Sequence, residues 1–191
     1  MGESPRMDDR PWVTVLAGSL RADSLNRAAA DLATAHLSAK GKVECPDLAP
    51  VPLFNEDLER SGDPSPVQHL KQVVVASETI LIFTPEYNSG VPALTKNAID
   101  WLSRPYGAGC LIDRVVGIAC VGPSSRGGEN VREHLLQTCS GLTERVYPLT
   151  LGVPNVFELE SGRLPATAEA SIKAWLDELL TYSRKWFPET N

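Results

Sequence analysis

The chain has 191 residues, 42% of them hydrophobic and 22% charged, with 14 Gly, 15 Pro, 4 Cys and 3 His. That balance excludes global disorder, and the length suits one domain able to bury about 70% of its unfolded-chain surface. Eighteen Lys and Arg against 24 Asp and Glu give a net charge of −6, which argues against a nucleic-acid binder, and no apolar run approaches the roughly 18 residues of a membrane span.

Residues 1–11 carry Glu3, Asp8 and Asp9 without an apolar stretch. They read as a flexible tail rather than a secretory signal. Residues 12–187 then read as one domain in which strands and helices alternate. Trp12–Ala17 is short, apolar and β-branched, and predicts a first strand closed by Gly18. An Ala-rich helix follows from Ser24, a suitable N-cap, to about Ala39, with Gly41 as its stop. Val43–Cys45 is a weak second strand, and a proline-containing connection runs from Pro46 to Pro66.

Val67–Ala76 predicts a helix, and Glu78–Thr84 a third strand. The third strand's unbroken apolar run suits a central parallel strand covered on both faces. Ala93–Leu102 is helical, Arg114–Val121 a fourth strand, Glu129–Thr138 a helix and Arg145–Leu151 a fifth strand. An amphipathic helix from Pro165 to about Trp186 closes the chain. Five strands with intervening helices predict a doubly wound parallel α/β sheet. Ligands of such sheets bind beyond the carboxyl ends of the strands, where the strand order reverses.

The cysteines (Cys45, Cys110, Cys120, Cys139) form no C-x-x-C pair and have no histidine at ligand spacing, so no metal site is expected. Idle thiols suit a cytoplasmic chain. His36, His69 and His134 fall in three separate helical stretches and read as solvated helix residues.

The chemistry then rests on three loops. The loop after the first strand, Gly18 to Asn26, is neither G-x-G-x-x-G nor a Walker A loop. It offers the hydroxyls of Ser19 and Ser24, the guanidinium of Arg21, the amide of Asn26 and the N–H groups of a helix start. These are the parts of a phosphate cradle; the plain alternative is a capped helix beside a surface arginine. After the third strand, Pro85-Glu-Tyr-Asn-Ser-Gly-Val-Pro92 holds a defined, non-helical path that can present main-chain groups to a flat heterocycle, with Tyr87 beside it. The alternative there is a rigid loop whose tyrosine covers the core edge. After the fourth strand, Gly122-Pro-Ser-Ser-Arg-Gly-Gly128 permits close backbone approach. Such turns are common before helices, and this one matters because it shares the same rim.

Gly-Ser-Leu-Arg-x-x-Ser-x-Asn after the first strand and Pro-Glu-Tyr-Asn-Ser-x-x-Pro-x-x-x-Lys-Asn-Ala-Ile-Asp-Trp after the third resemble the NAD(P)H-dependent FMN reductases. That family comprises flavodoxin-like quinone, azo-dye and chromate reductases. Pro-Leu-Phe-Asn-Glu-Asp-Leu-Glu, from Pro52 to Glu59, resembles the family's second connection. The resemblance spans about Trp12 to Leu180 and implies a flavodoxin-like sheet of order 2-1-3-4-5. It further implies that Ser19, Arg21, Ser24 and Asn26 surround the FMN phosphate. Pro85, Glu86, Tyr87, Asn88 and Ser89 would line the isoalloxazine, with Ser125, Gly127 and Gly128 at its pyrimidine side.

On that basis the expected activity is ping-pong transfer of a hydride from NAD(P)H through FMN to quinones or similar acceptors, with no catalytic side chain. Two alternatives stand beside it. One is a flavin reductase supplying reduced FMN to a partner monooxygenase, and the other a flavodoxin-like electron carrier. A homodimer or homotetramer is also expected, with an apolar surface around Ala93–Leu102 and Trp101–Tyr106.

Overall fold

A computed structural model describes residues 12–188; the expected tail at 1–11 lies outside them. In chain order the elements are β1 (Trp12–Ala17), α1 (Leu25–Ser38), β2 (Lys42–Glu44), α2 (Glu56–Arg60), α3 (Ser65–Ala76), β3 (Thr79–Phe83), α4 (Ala93–Leu102), β4 (Val115–Val121), α5 (Glu129–Ser140), β5 (Leu151–Val153) and α6 (Ala166–Ser183). The strands form one sheet in the order β2-β1-β3-β4-β5, every neighbouring pair parallel. Strand order therefore reverses between β1 and β3, as expected for a flavodoxin-like fold.

The sheet separates two apolar layers. Every residue of β3 and β4 is buried, which explains their continuous hydrophobic runs. Alternation survives inside those runs because successive side chains point to opposite faces. Leu81 and Phe83 pack with α1 and α6, whereas Ile80 and Ile82 pack with α3, α4 and α5. Ala29, Ala30 and Ala33 are fully buried on α1; their small side chains let that helix lie close against the sheet. At the start of α1, the Ser24 Oγ accepts the Arg27 N–H at 3.3 Å, satisfying one of the helix's orphan donors. Gly117, mid-strand in β4, has no room for a side chain, since a Cβ there would lie 2.1 Å from Leu179 Cδ1. Among the described residues no helix is long and apolar enough to cross a membrane.

Two expectations need correction. The fifth strand, expected at Arg145–Leu151, pairs as a ladder only over Leu151–Val153. Val146 makes a lone parallel bridge to Val116, and Pro148 then interrupts pairing because it has no N–H to donate. The chain leaves the sheet at Leu149, whose carbonyl accepts the Trp175 indole N–H at 2.6 Å, and rejoins two residues later. The connection from Pro46 to Pro66 also contains an unanticipated helix, α2, capped by the Asn55 side chain on the Asp57 N–H at 2.8 Å. It is anchored by Arg104, which grips both carboxylate oxygens of Glu59.

The Lys96–Trp101 segment is structural. Asn97 accepts the Phe54 N–H at 2.8 Å and donates to the Pro52 carbonyl at 2.9 Å. Trp101 Nε1 donates to that same carbonyl at 2.8 Å, and Phe54 packs edge-on against the indole at 5.0 Å. Asp100 pairs with Lys96 one turn away.

Candidate functional site

The loops after β1, β3 and β4 meet at the carboxyl edge of the sheet. Gly18 makes the first meeting possible. Its N–H donates to the Phe83 carbonyl at 2.7 Å, and any Cβ would lie 2.3 Å from Thr95 Oγ1 and 2.9 Å from Thr84 Oγ1. Those two hydroxyls bond each other at 2.8 Å, joining the end of β3 to the first turn of α4. Between the loops lies a cleft of about 270 Å³, near the lower end of the range for small-molecule sites.

At one end the cleft is lined by Arg21, Ser24, Leu25 and Asn26. Arg21 is exposed and its guanidinium folds over the loop to donate to the Asp23 carbonyl at 3.1 Å. Ser24 and the first turn of α1 add a helix N-terminus, where partial positive charge gathers. Ser19 lies just outside this lining, buried, its hydroxyl accepting the Arg21 N–H at 3.4 Å. Asn26 is committed elsewhere. Its amide donates to the Val121 carbonyl at 2.8 Å and accepts the Val121 N–H at 2.9 Å, so its side chain fastens α1 to the end of β4.

At the other end stand Pro85, Glu86 and Tyr87. Residues 87–90 form a two-residue hairpin: Tyr87 and Gly90 exchange N–H to carbonyl bonds at 3.2 and 3.0 Å. Asn88 and Ser89 at its tip have φ of 50° and 58°, the left-handed pair that a type I′ turn requires. Their side chains are exposed and outside the cleft lining, while Tyr87 is half-exposed at its mouth. Glu86 turns its carboxylate to α5, accepting the Val131 N–H at 3.1 Å and an Asn130 side-chain N–H at 3.3 Å.

The third wall comprises Cys120, Val121, Gly122, Pro123, Ser124 and Gly128. Gly122, Pro123, Ser124 and Gly128 belong to the loop that the sequence singles out, whereas Ser125 is exposed beyond the lining. Cys120 and Val121, the end of the strand itself, are the additions. Gly127 and Gly128 have φ of 56° and 67°. Their glycine identity also answers internal crowding: a Cβ on Gly127 would fall 2.8 Å from the Gly152 carbonyl carbon, and one on Gly128 2.2 Å from Cys120 Sγ. Burial pushes the Cys120 thiol up to about 12, so it floors the cleft as a neutral group and is no thiolate nucleophile.

The donors are sorted by position. A cation and a helix start occupy one end, and backbone edges with an aromatic side chain occupy the other. That arrangement suits a ligand that carries a phosphate as well as an aromatic ring, such as FMN.

Residues 11–157 match the model of a family described as NADPH-dependent FMN reductase. A quinone reductase of Pseudomonas putida is 34% identical over 181 residues, covering 89% of this chain and 93% of that protein. A 2-hydroxy-1,4-benzoquinone reductase of Burkholderia sp is 31% identical over 130 residues, 68% of this chain and 70% of its own length. In structure, the flavoenzyme NAD(P)H:acceptor oxidoreductase FerB of Paracoccus denitrificans superposes with a TM-score of 0.79 at 24% identity, covering 92% of this chain and 98% of that one. The chain belongs to the NADPH-dependent FMN reductase family, oxidoreductases that work with FMN and a pyridine nucleotide.

Proposed function

We propose that this protein transfers reducing equivalents from NAD(P)H to quinones or similar acceptors at a single FMN-binding cleft, by alternating use of one site. FMN held there would supply the chemistry of hydride acceptance from the pyridine nucleotide and two-electron transfer to the acceptor. The chain's own residues bind and orient. Arg21 brings a fixed positive charge and a forked donor suited to phosphate oxygens. Ser24 and the unpaired amides of the first α1 turn complete that end. Pro85 and the 87–90 hairpin form a rigid wall, and Gly122 to Ser124 form the facing one. Ser19, Asn88, Ser89, Ser125 and Gly127 act from behind these walls, shaping the loops.

One observation carries the reading: a cation and helix N-terminus sit at one end of a cleft whose far end is walled by a rigid turn and an aromatic side chain. A single mouth then has to serve donor and acceptor in turn. The test is steady-state turnover of NADPH with a quinone and no partner protein. Parallel double-reciprocal lines across quinone concentrations are expected. Intersecting lines would overturn the alternating scheme, and NADPH oxidation that needs a second protein would favour delivery of reduced flavin.

We also propose a homo-oligomer in the cytoplasm, formed by one domain spanning 12–187. Four loops at the strands' carboxyl edge expose Leu20, Leu53, Tyr87 and Phe157, with Leu53 and Phe157 each 75% exposed. Large apolar side chains exposed along one edge of the sheet suit burial by another copy. A mass of two or four chains should appear by light scattering at micromolar concentration, and a monomer there would refute it.

A further inference from the structure

We infer that the first turn of α5 fixes the spacing of the two ring-side walls, and that Glu86 and Arg132 are positioning residues acting through it. The inference rests on the FMN reading above.

The N-cap of α5 is Gly128, which brings no side chain to the exposed amides of the first turn. An acceptor arrives instead from a different wall. Glu86, 45 residues earlier in the chain, takes the Val131 N–H at 3.1 Å and the Asn130 side-chain N–H at 3.3 Å. A carboxylate at a helix N-terminus gains both charge-assisted bonds and a favourable dipole. The hairpin wall is therefore bolted to α5.

The facing wall is bolted to the same turn from the opposite direction. Arg132 reaches back to the loop that precedes its own helix. Its Nε donates to the Gly127 carbonyl at 3.0 Å and Nη2 to the Arg126 carbonyl at 3.3 Å. Nη1 donates to Thr150 Oγ1 at 2.8 Å, just before β5. The guanidinium lies over Gly152, where a Cβ would come within 2.8 Å of Nη2. Arginine supplies this geometry because its planar fork can hold three acceptors at once, where lysine offers a single point charge. Each Glu86 oxygen and each Arg132 nitrogen is thus tied to a partner within the protein. Both sides of the cleft end on residues 128–132, so a shift of one wall moves the anchor of the other.

The experiment is FMN titration of apo-protein, read by flavin fluorescence quenching, for wild type, Glu86→Gln, Arg132→Met and the double variant. Visible circular dichroism of bound flavin and thermal melting are recorded alongside. Each single change should weaken FMN about fivefold to tenfold and alter the flavin dichroism. The double variant should stay within about threefold of the weaker single, because one shared anchor is lost only once. Multiplying effects would show independent walls and overturn the inference, as would unchanged affinity and dichroism with only the melting temperature lowered. Should Arg132→Met fail to fold, Thr150→Val removes one anchor of the guanidinium and should shift affinity and dichroism in the same direction. Wild-type protein that takes up no FMN would sink the flavin reading itself. A wild type that binds, beside variants that bind equally well, would sink this inference alone.

Discussion

Arg21 lines the cleft with no carboxylate partner among the described ion pairs; its guanidinium rests on the Asp23 carbonyl. A bound phosphate gains the whole charge, so Arg21→Ala should weaken FMN by roughly 10- to 100-fold. Fluorescence titration measures it, and an unchanged affinity would remove Arg21 from the site. Gly128 marks the opposite case, where identity is dictated by the protein alone. Its φ of 67° and the 2.2 Å that would separate a Cβ there from Cys120 Sγ combine backbone strain with overpacking. Gly128→Ala should cost about 2–4 kcal/mol, lowering the melting temperature by roughly 5–15 °C. A melting temperature within about 2 °C of wild type, less than about 1 kcal/mol, would contradict that crowding. The serine and arginine that line the cleft beside α1 were legible because such residues at a helix start advertise themselves locally. The engagement of Glu86 and Asn26 was hidden, because their partners lie 45 and 95 residues away.

At the scale of elements, α1, α4 and β3 could be read from composition, since Ala-rich and continuous apolar runs have few alternative uses. The Leu151–Val153 strand could not. Its three residues carry one buried side chain, and the more strand-like stretch before it is broken by Pro148. Helix α2 escaped notice because none of its residues is buried, leaving no apolar period to detect. Asn26 decides how α1 meets the sheet. Its amide satisfies both the N–H and the carbonyl of Val121, which is 1% exposed. Asn26→Ala would strand two buried backbone groups, costing about 2–4 kcal/mol. Chemical denaturation should show that loss in the apo-protein. Wild-type stability combined with FMN binding weakened tenfold or more would return Asn26 to the phosphate.

For the whole molecule, stability against pH follows from groups whose proton affinity changes on folding. On the acid side, the Arg104 hydrogen bonds hold the Glu59 carboxyl below its ordinary value, and Lys40 with His36 does the same for Asp177. Lowered carboxylates stabilise the fold above about pH 4, and their contribution disappears as pH falls through the folded-state values. Asp177 is half-exposed, and the Glu59–Arg104 pair lies at the surface with partial exposure, so that limb is shallow. The alkaline side differs because its groups sit in the core. Burial raises Cys120 and Cys139 from about 9 to about 12, and both belong to the layer packed under α3, α4 and α5. Burial, with Glu178 nearby, also raises the Tyr147 phenol. Between the unfolded and folded values the native state binds more protons, so stability falls as pH rises. Urea midpoints of the apo-protein should therefore be level from about pH 5 to 8 and drop steadily above about 9. A Cys120→Ala, Cys139→Ala double variant, though less stable at neutral pH, should lose less than wild type between about pH 9 and 11, leaving the slope due to Tyr147 and to Cys45 and Cys110, which burial also raises. Superimposable alkaline limbs would mean that neither thiol remains protonated in the native state as its burial requires.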